Sequence, residues 1–209
     1  MRFHRHHEQG DWNEVEGFVR SRESALLVTR GPQGENHFGV INTVFVGGRI
    51  VIHIGRTDEQ ARDLAREARA QLVFHEPLSV IPSYWIDRRY GGAINQFFRY
   101  AECECWARVI TEGKEMTLLL QRMLDRFQAE RSYDPLDSEG EVYREKFLAI
   151  ECAELEPVAW KTKWNLGQAK PLEAFENVIR ELERRAEGPD RATAREMVKW
   201  RERHGTPVG

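Results

Sequence analysis

Residues 49–76 read RIVIHIGRTDEQARDLAREARAQLVFHE, and their periodicity changes three times. Val51, His53 and Gly55 alternate with Ile52 and Ile54, the period of an extended strand. Ala61, Leu64, Ala65 and Ala68 then fall on one narrow helical stripe, and QLVF returns to a strand-like apolar run. The order is therefore strand, short polar loop, helix, strand. Arg56 and Thr57 occupy the loop and Arg62 lies one turn into the helix. A guanidinium fork, a hydroxyl and the backbone N–H groups of a helix start are the donors that hold a phosphate. The charged residues Arg62, Asp63, Arg66, Glu67 and Arg69 equally suit the solvated face of a helix packed on its alanines. Asp58 and Glu59 place negative charge at the helix start, where they serve as cap and dipole partner.

Working outward, a chain of 209 residues with 41% hydrophobic residues is long enough to bury one core, with terminal additions. Its 31 basic and 34 acidic residues are interspersed and give a formal charge of -3, so no basic block marks a nucleic-acid surface. No apolar run approaches the roughly 18 residues of a membrane span, and MRFHRHHEQGDW lacks the apolar centre of a signal peptide. A cytoplasmic location is the expectation. Cys103, Cys105 and Cys152 are too few and odd in number for a disulfide scaffold. The first two share a strand face with Ala101, Ala107 and Val109, which favours small core-facing residues over a metal or redox pair. His4, His6 and His7 form a terminal cluster that reads as a polar tail, and no metal site is expected.

Asp11 followed by Glu14 has capping-box spacing, and Trp12, Val15, Phe18 and Val19 share one face of the helix that follows. Strands are expected at SALLVT (24–29) and HFGVINTVFV (37–46), with Gly47-Gly48 as the two-residue hairpin turn into the strand at 49–55. After a helix at 58–69, QLVFHE runs into LSVIPSYW, and a Gly-rich loop at 90–93 precedes a long strand near 100–110. Met116, Leu119, Leu120, Met123, Leu124 and Phe127 give 112–130 helical periodicity. A short helix is expected at 139–147, and Leu148, Ile150, Cys152 and Leu155 mark a returning strand. Two charged helices broken at Gly188-Pro189 close the chain, the first with Phe175, Val178, Ile179 and Leu182 on its apolar face. The pattern is α+β with a mainly β core, a small antiparallel barrel carrying peripheral helices.

With these elements placed, the chain resembles the FMN-binding split-barrel group of pyridoxamine 5'-phosphate oxidase, and within it the PaiB-like proteins. The resemblance rests on ALLVT (25–29), HIGRTDEQARDL (53–64), SYW (83–85) and, most specifically, KTKWNLGQAKP (161–171). It implies a six-stranded split β-barrel over residues 1–170, a helical extension over 171–209, and a homodimer with FMN between the subunits. His53, Ile54, Gly55, Arg56 and Thr57 match the strand end and loop that run along the flavin and its phosphate. Arg62 matches a second basic phosphate ligand, and Asn42 lies on the strand expected to pass the ring. Lys163, Gln168 and Lys170 match the C-terminal motif. Tyr84 and Trp85 are candidates for an aromatic wall of the substrate pocket, or alternatively core aromatics with a polar tip. The chain departs from the PaiB-like pattern at Phe98-Arg99 and at Glu104.

No GxSxG elbow, HExxH, Walker loop or spaced Cys/His set is present, so no side chain is assigned a catalytic role. In a flavoprotein the cofactor carries the chemistry. The function expected from the resemblance is an FMN-dependent oxidoreductase acting on a small molecule not specified by the sequence. The alternatives are a PaiB-like regulatory protein that uses the barrel as a sensor, or a barrel holding haem, a deazaflavin or no cofactor. The absence of a helix-turn-helix signature speaks against direct DNA contact.

Overall fold

A computed structural model describes residues 11–207, so the histidine cluster at His4, His6 and His7 lies outside the described residues. The elements run α1 (Trp12–Ser21), β1 (Ser24–Arg30), β2 (Asn36–Asn42), β3 (Val44–Val46), β4 (Arg49–Gly55), α2 (Glu59–Arg66) and β5 (Arg69–Ile81). They continue with β6 (Asn95–Ile110), α3 (Gly113–Phe127), α4 (Arg144–Ala149), β7 (Ile150–Asn165), α5 (Leu172–Arg185) and α6 (Asp190–His204). The seven strands form one sheet in the order β2-β1-β5-β6-β7-β4-β3. The chain divides into two compact units, one of Glu16–Phe74 and Glu102–Lys161, the other of the described residues up to Val15, His75–Ala101, and those from Thr162 onward.

The first unit is a barrel, and its closure follows from one residue. β2 and β3 lie at opposite ends of the strand order, yet only Thr43 separates them in the chain. Seven strands laid flat would hold those edges roughly 29 Å apart. Two Cα steps across Thr43 span at most about 7.6 Å. The sheet must curl until its ends meet. This also explains why seven strands are found where six were expected: HFGVINTVFV breaks at Thr43, where the chain steps from one end of the strand order to the other. β1 pairs antiparallel with β2 from Ser24↔Asn42 to Arg30↔Asn36, and β4 pairs with β7 from Ile50↔Leu155 to Gly55↔Ile150.

Gly47 and Gly48 adopt φ of 56° and 83° in the β3–β4 turn, left-handed conformations that glycine adopts without strain. On this unit α3 lays Met116, Leu119 and Met123 against Val44, Val51, Ile110 and Cys152. Glu112 is the N-cap of α3, accepting the N–H groups of Lys114 at 3.0 Å and Glu115 at 2.7 Å. Cys103 and Cys105 are buried with their sulfurs 3.5 Å apart, in keeping with the small core-facing reading.

In the second unit α5 buries Phe175, Val178, Ile179 and Leu182, the stripe its spacing predicts. α6 packs beside it through Ala194 and Met197. Asp190 at the start of α6 is 1% exposed. It accepts Arg185 Nε at 2.6 Å and Nη2 at 2.7 Å, Ser79 Oγ at 2.6 Å and the Glu187 N–H at 3.1 Å. The hydrogen bonds from Arg185 hold its carboxyl below the usual carboxylate range. Glu14 pairs with Arg203 at 2.9 Å, while Asp11 Oδ1 accepts the Asn13 N–H at 2.9 Å.

Candidate functional site

The barrel unit holds seven of the residues singled out in the sequence. Asn42 ends β2, His53, Ile54 and Gly55 end β4, and Arg56, Thr57 and Arg62 follow in the loop and the first turns of α2. The loop is tightly made. Asp58 Oδ2 accepts the Gly55 N–H at 3.0 Å, and the Asp58 N–H returns to the Gly55 carbonyl at 3.0 Å. Because its carboxylate turns back in this way, Asp58 makes no side-chain cap to α2. The opening N–H groups of the helix are thus left without that cap, at the positive end of its dipole.

Arg56, Thr57 and Arg62 are all exposed around this helix start. Arg56 donates Nε to the Ile150 carbonyl at 2.9 Å and Nη2 to that of Phe147 at 3.5 Å. Arg62 donates Nη2 to the Thr57 carbonyl at 2.7 Å. A guanidinium has five N–H donors, so these contacts fix each side chain and leave donors over. Arg56 also borders a cleft of about 240 Å³ whose charged lining is mixed, Lys114 and Arg144 with Glu112 and Glu139. Tethered guanidinium groups, a hydroxyl and an uncapped helix start suit a phosphate monoester dianion. The residues therefore fit the phosphate end of FMN.

The flanking positions are less uniform. Ile54 is core, 5% exposed. His53 is exposed on the outward face of β4, and the protein packed around its ring lowers its pKa by desolvation. Asn42 is exposed and donates to the Glu23 carbonyl at 3.2 Å. The next residue, Thr43, is buried, and its hydroxyl has no hydrogen-bond partner among the described residues. Two large apolar residues of β2, Phe38 and Val40, are 61% and 78% exposed.

α2 itself is docked by residues the sequence reading did not single out. Asp63, whose spacing equally suits a solvated face, is 4% exposed. It accepts Thr29 Oγ1 of β1 at 2.7 Å and bonds His37 Nδ1 of β2 at 2.7 Å. Burial pushes its pKa up, but hydrogen bonds from Thr29 and His37 outweigh that and hold it below the carboxylate norm. The hydrogen bond to Asp63 raises the pKa of His37, helped by Glu59 and Glu35. No local spacing signals this cluster, since its members stand 34 and 26 residues apart.

The other five candidates belong to the second unit. Tyr84 is 61% exposed, whereas Trp85 is buried at 5%. Trp85 is held by Asn177 Nδ2 on its carbonyl at 2.7 Å and by the Arg185 guanidinium 4.6 Å from its ring centroid. Its indole N–H is buried with no hydrogen-bond partner among the described residues. Gln168 is 3% exposed and spans its own loop, accepting the Leu166 N–H at 2.7 Å and donating to the Trp164 carbonyl at 2.6 Å. Lys163 places Nζ 5.8 Å from the Phe98 ring centroid, and Lys170 is half-buried. Arg99, at one departure from the PaiB-like pattern, is fixed between Glu76 at 2.6 Å and Glu196 at 2.8 Å.

The curled antiparallel sheet, its two end strands joined through Thr43, is the split-barrel fold. Comparison with known proteins agrees. The flavocytochrome Anf3 from Azotobacter vinelandii superposes with a TM-score of 0.64 at 14% identity, over 78% of this chain and 72% of that one. The FAD and heme binding protein from Mycobacterium smegmatis gives 0.62 at 17% identity, over 76% and 73%. These likenesses establish the fold. No curated protein matches the sequence. Residues 1–158 match the family FMN_bind_2, "Putative FMN-binding domain", and the chain belongs to that family. The cofactor it implies is a flavin, FMN. Among the described residues no helix is long and apolar enough to cross a membrane, and no cluster of His, Cys, Asp and Glu suits a metal ion.

Proposed function

We propose that the protein is an FMN-dependent oxidoreductase acting on a small molecule, working as a homodimer with the flavin between its subunits in the cytoplasm. The observation that carries the flavin site is the loop at 55–62, where Arg56 and Arg62 are tethered beside a helix start that Asp58 leaves uncapped. Arg56 and Arg62 neutralise the phosphate and Thr57 donates to it, while Asn42, His53, Ile54 and Gly55 line the approach to the ring. By the resemblance of the C-terminal motif, Lys163, Gln168 and Lys170 belong to the cofactor-binding residues, Gln168 by shaping the loop that its carboxamide closes. The flavin, once bound, supplies two-electron transfer, and the side chains bind, orient and shield it. Tyr84 and Trp85 form the aromatic wall of the substrate pocket, Tyr84 as its exposed face. The exposed Phe38 and Val40 on β2 support a second copy as their cover.

The flavin reading is tested by titrating the purified protein with FMN and riboflavin, following flavin fluorescence. Saturable FMN binding that Arg56→Ala/Arg62→Ala weakens by about 100-fold or more supports it, since losing a charged partner costs about 2 to 5 kcal/mol and these guanidinium groups are exposed. Full FMN affinity in the double variant removes the loop from the site. Dimerisation is checked by sedimentation of Val40→Lys, which is expected to be a monomer. A dimer unaffected by that change excludes β2 from the interface.

A further inference from the structure

Four contacts, all within the barrel unit, hold α2 against the β1–β2 hairpin. Asp63 is the central one, receiving Thr29 Oγ1 from β1 and bonding His37 Nδ1 from β2, each at 2.7 Å. Gln60 packs on Gly39 of β2, where a side chain would bring a Cβ to 3.4 Å of its amide nitrogen. Arg66 donates to the Arg30 carbonyl at the end of β1. Ala61 and Leu64 fill the apolar part of the contact, 4% and 2% exposed. A buried carboxylate is an expensive way to join a helix to a sheet unless its position matters. Asp63 lies on the helix that carries Arg62, five residues after Asp58, whose carboxylate shapes the loop.

We infer that Asp63, His37 and Thr29 are positioning residues for the phosphate loop, fixing α2 so that its uncapped start and Arg62 face one point. This rests on the flavin reading above, and none of the three touches the cofactor in it. The charged groups around His37 are Asp63 at 2.7 Å and Glu59 at 3.9 Å on α2, and Glu35 at 3.7 Å on the turn before β2. Arg66 lies 3.8 Å from Asp63. The surroundings of His37 are thus carboxylates, and the pair makes one hydrogen-bonded link across two elements. Partners that orient a ligand's first contacts without touching it matter through geometry, and in metal sites their loss lowers affinity about 10- to 100-fold.

The test measures dissociation constants for FMN and for riboflavin, which lacks the phosphate, in the wild type, Asp63→Asn, His37→Ala and His37→Asn. Through-space electrostatics and positioning predict opposite signs for Asp63→Asn. Removing a negative charge near the phosphate would tighten FMN, whereas loosening the helix weakens it. The expected result is FMN binding weakened about 10-fold or more in Asp63→Asn and His37→Ala, with riboflavin within about twofold of the wild type. His37→Asn, whose amide nitrogen reaches the place of Nδ1, is expected to recover most of the FMN affinity. An unchanged preference for FMN over riboflavin in Asp63→Asn and His37→Ala overturns the inference while leaving the flavin reading intact. So does tighter FMN binding in Asp63→Asn. A wild type that binds neither flavin overturns the flavin reading itself. If Asp63→Asn fails to fold, as judged by circular dichroism, the two His37 variants decide: loss in alanine with recovery in asparagine supports positioning, and equal affinities overturn it.

Discussion

Replacing Asp190 by alanine removes the acceptor on which the α5–α6 turn is built. Four hydrogen bonds of 2.6–3.1 Å converge on its carboxylate, which is 1% exposed. Truncation leaves Arg185 without its partner, and breaking a buried pair in this way costs about 3–5 kcal/mol. Arg185 keeps 26% of its side chain exposed, so water can reach the guanidinium, and the lower end, about 3 kcal/mol, applies. The Ser79 hydroxyl keeps Thr193 Oγ1 at 3.0 Å, and the Glu187 N–H, which loses its acceptor, adds about 1 kcal/mol. A total of about 3–4 kcal/mol corresponds to a fall in Tm of roughly 6–16 °C for a chain of this size. Thermal and urea unfolding at neutral pH, followed by circular dichroism, measure it. Arg185→Ala and the double variant complete a cycle that isolates the pair, with the double variant expected to lose less than the sum. The sign with pH follows from the depressed pKa of Asp190. Its stabilisation is full above the ordinary carboxylate pKa, and is lost as pH falls through the lower folded value. An Asp190→Ala protein melting within about 1 °C of the wild type would refute the claim that this carboxylate holds the turn.

Gly167 has φ of 82°, and a Cβ there would meet Phe97 Cζ at 2.7 Å. Gly167→Ala should therefore destabilise by about 2 kcal/mol or more, read from urea midpoints, because Phe97 is fully buried and has little room to move. Gln168→Ala leaves the Leu166 N–H and the Trp164 carbonyl without their partner in a buried loop. The expected loss is about 2 kcal/mol, with more rapid amide exchange at Leu166. His37 carries a pKa raised chiefly by Asp63, so its contribution is full below the unfolded value near 6.5 and lost as pH rises through the higher folded value. Unfolding midpoints should fall across that window in the wild type and not in His37→Asn.

Local chemistry makes much of the fold legible in the sequence. The Gly47-Gly48 pair announces a hairpin because both residues need positive φ, and they have it. The α5 stripe of Phe175, Val178, Ile179 and Leu182 is a repeat of three and four residues, and it is the buried face. Boundaries were less exact. Asp58 has the position of a cap for α2 and instead closes the loop on Gly55, because an acceptor next to a turn can serve either side. Glu14 has capping-box spacing, yet its carboxylate goes to Arg203, a partner that only α6 brings near.

The sequence by itself determined most of the strand and helix segments and the phosphate-suited composition of the loop at 56–62. These are properties of spacing and residue type within one or two elements. Tertiary structure alone decided that HFGVINTVFV breaks at Thr43 to close the barrel, since nothing within ten residues encodes where two sheet edges meet. It also decided that Asp63 is not solvated. A charge on an amphipathic helix looks the same whether it meets water or a threonine and a histidine brought from 34 and 26 residues away. Burial of a polar group is settled by the partner that satisfies it, and that partner is supplied by the fold.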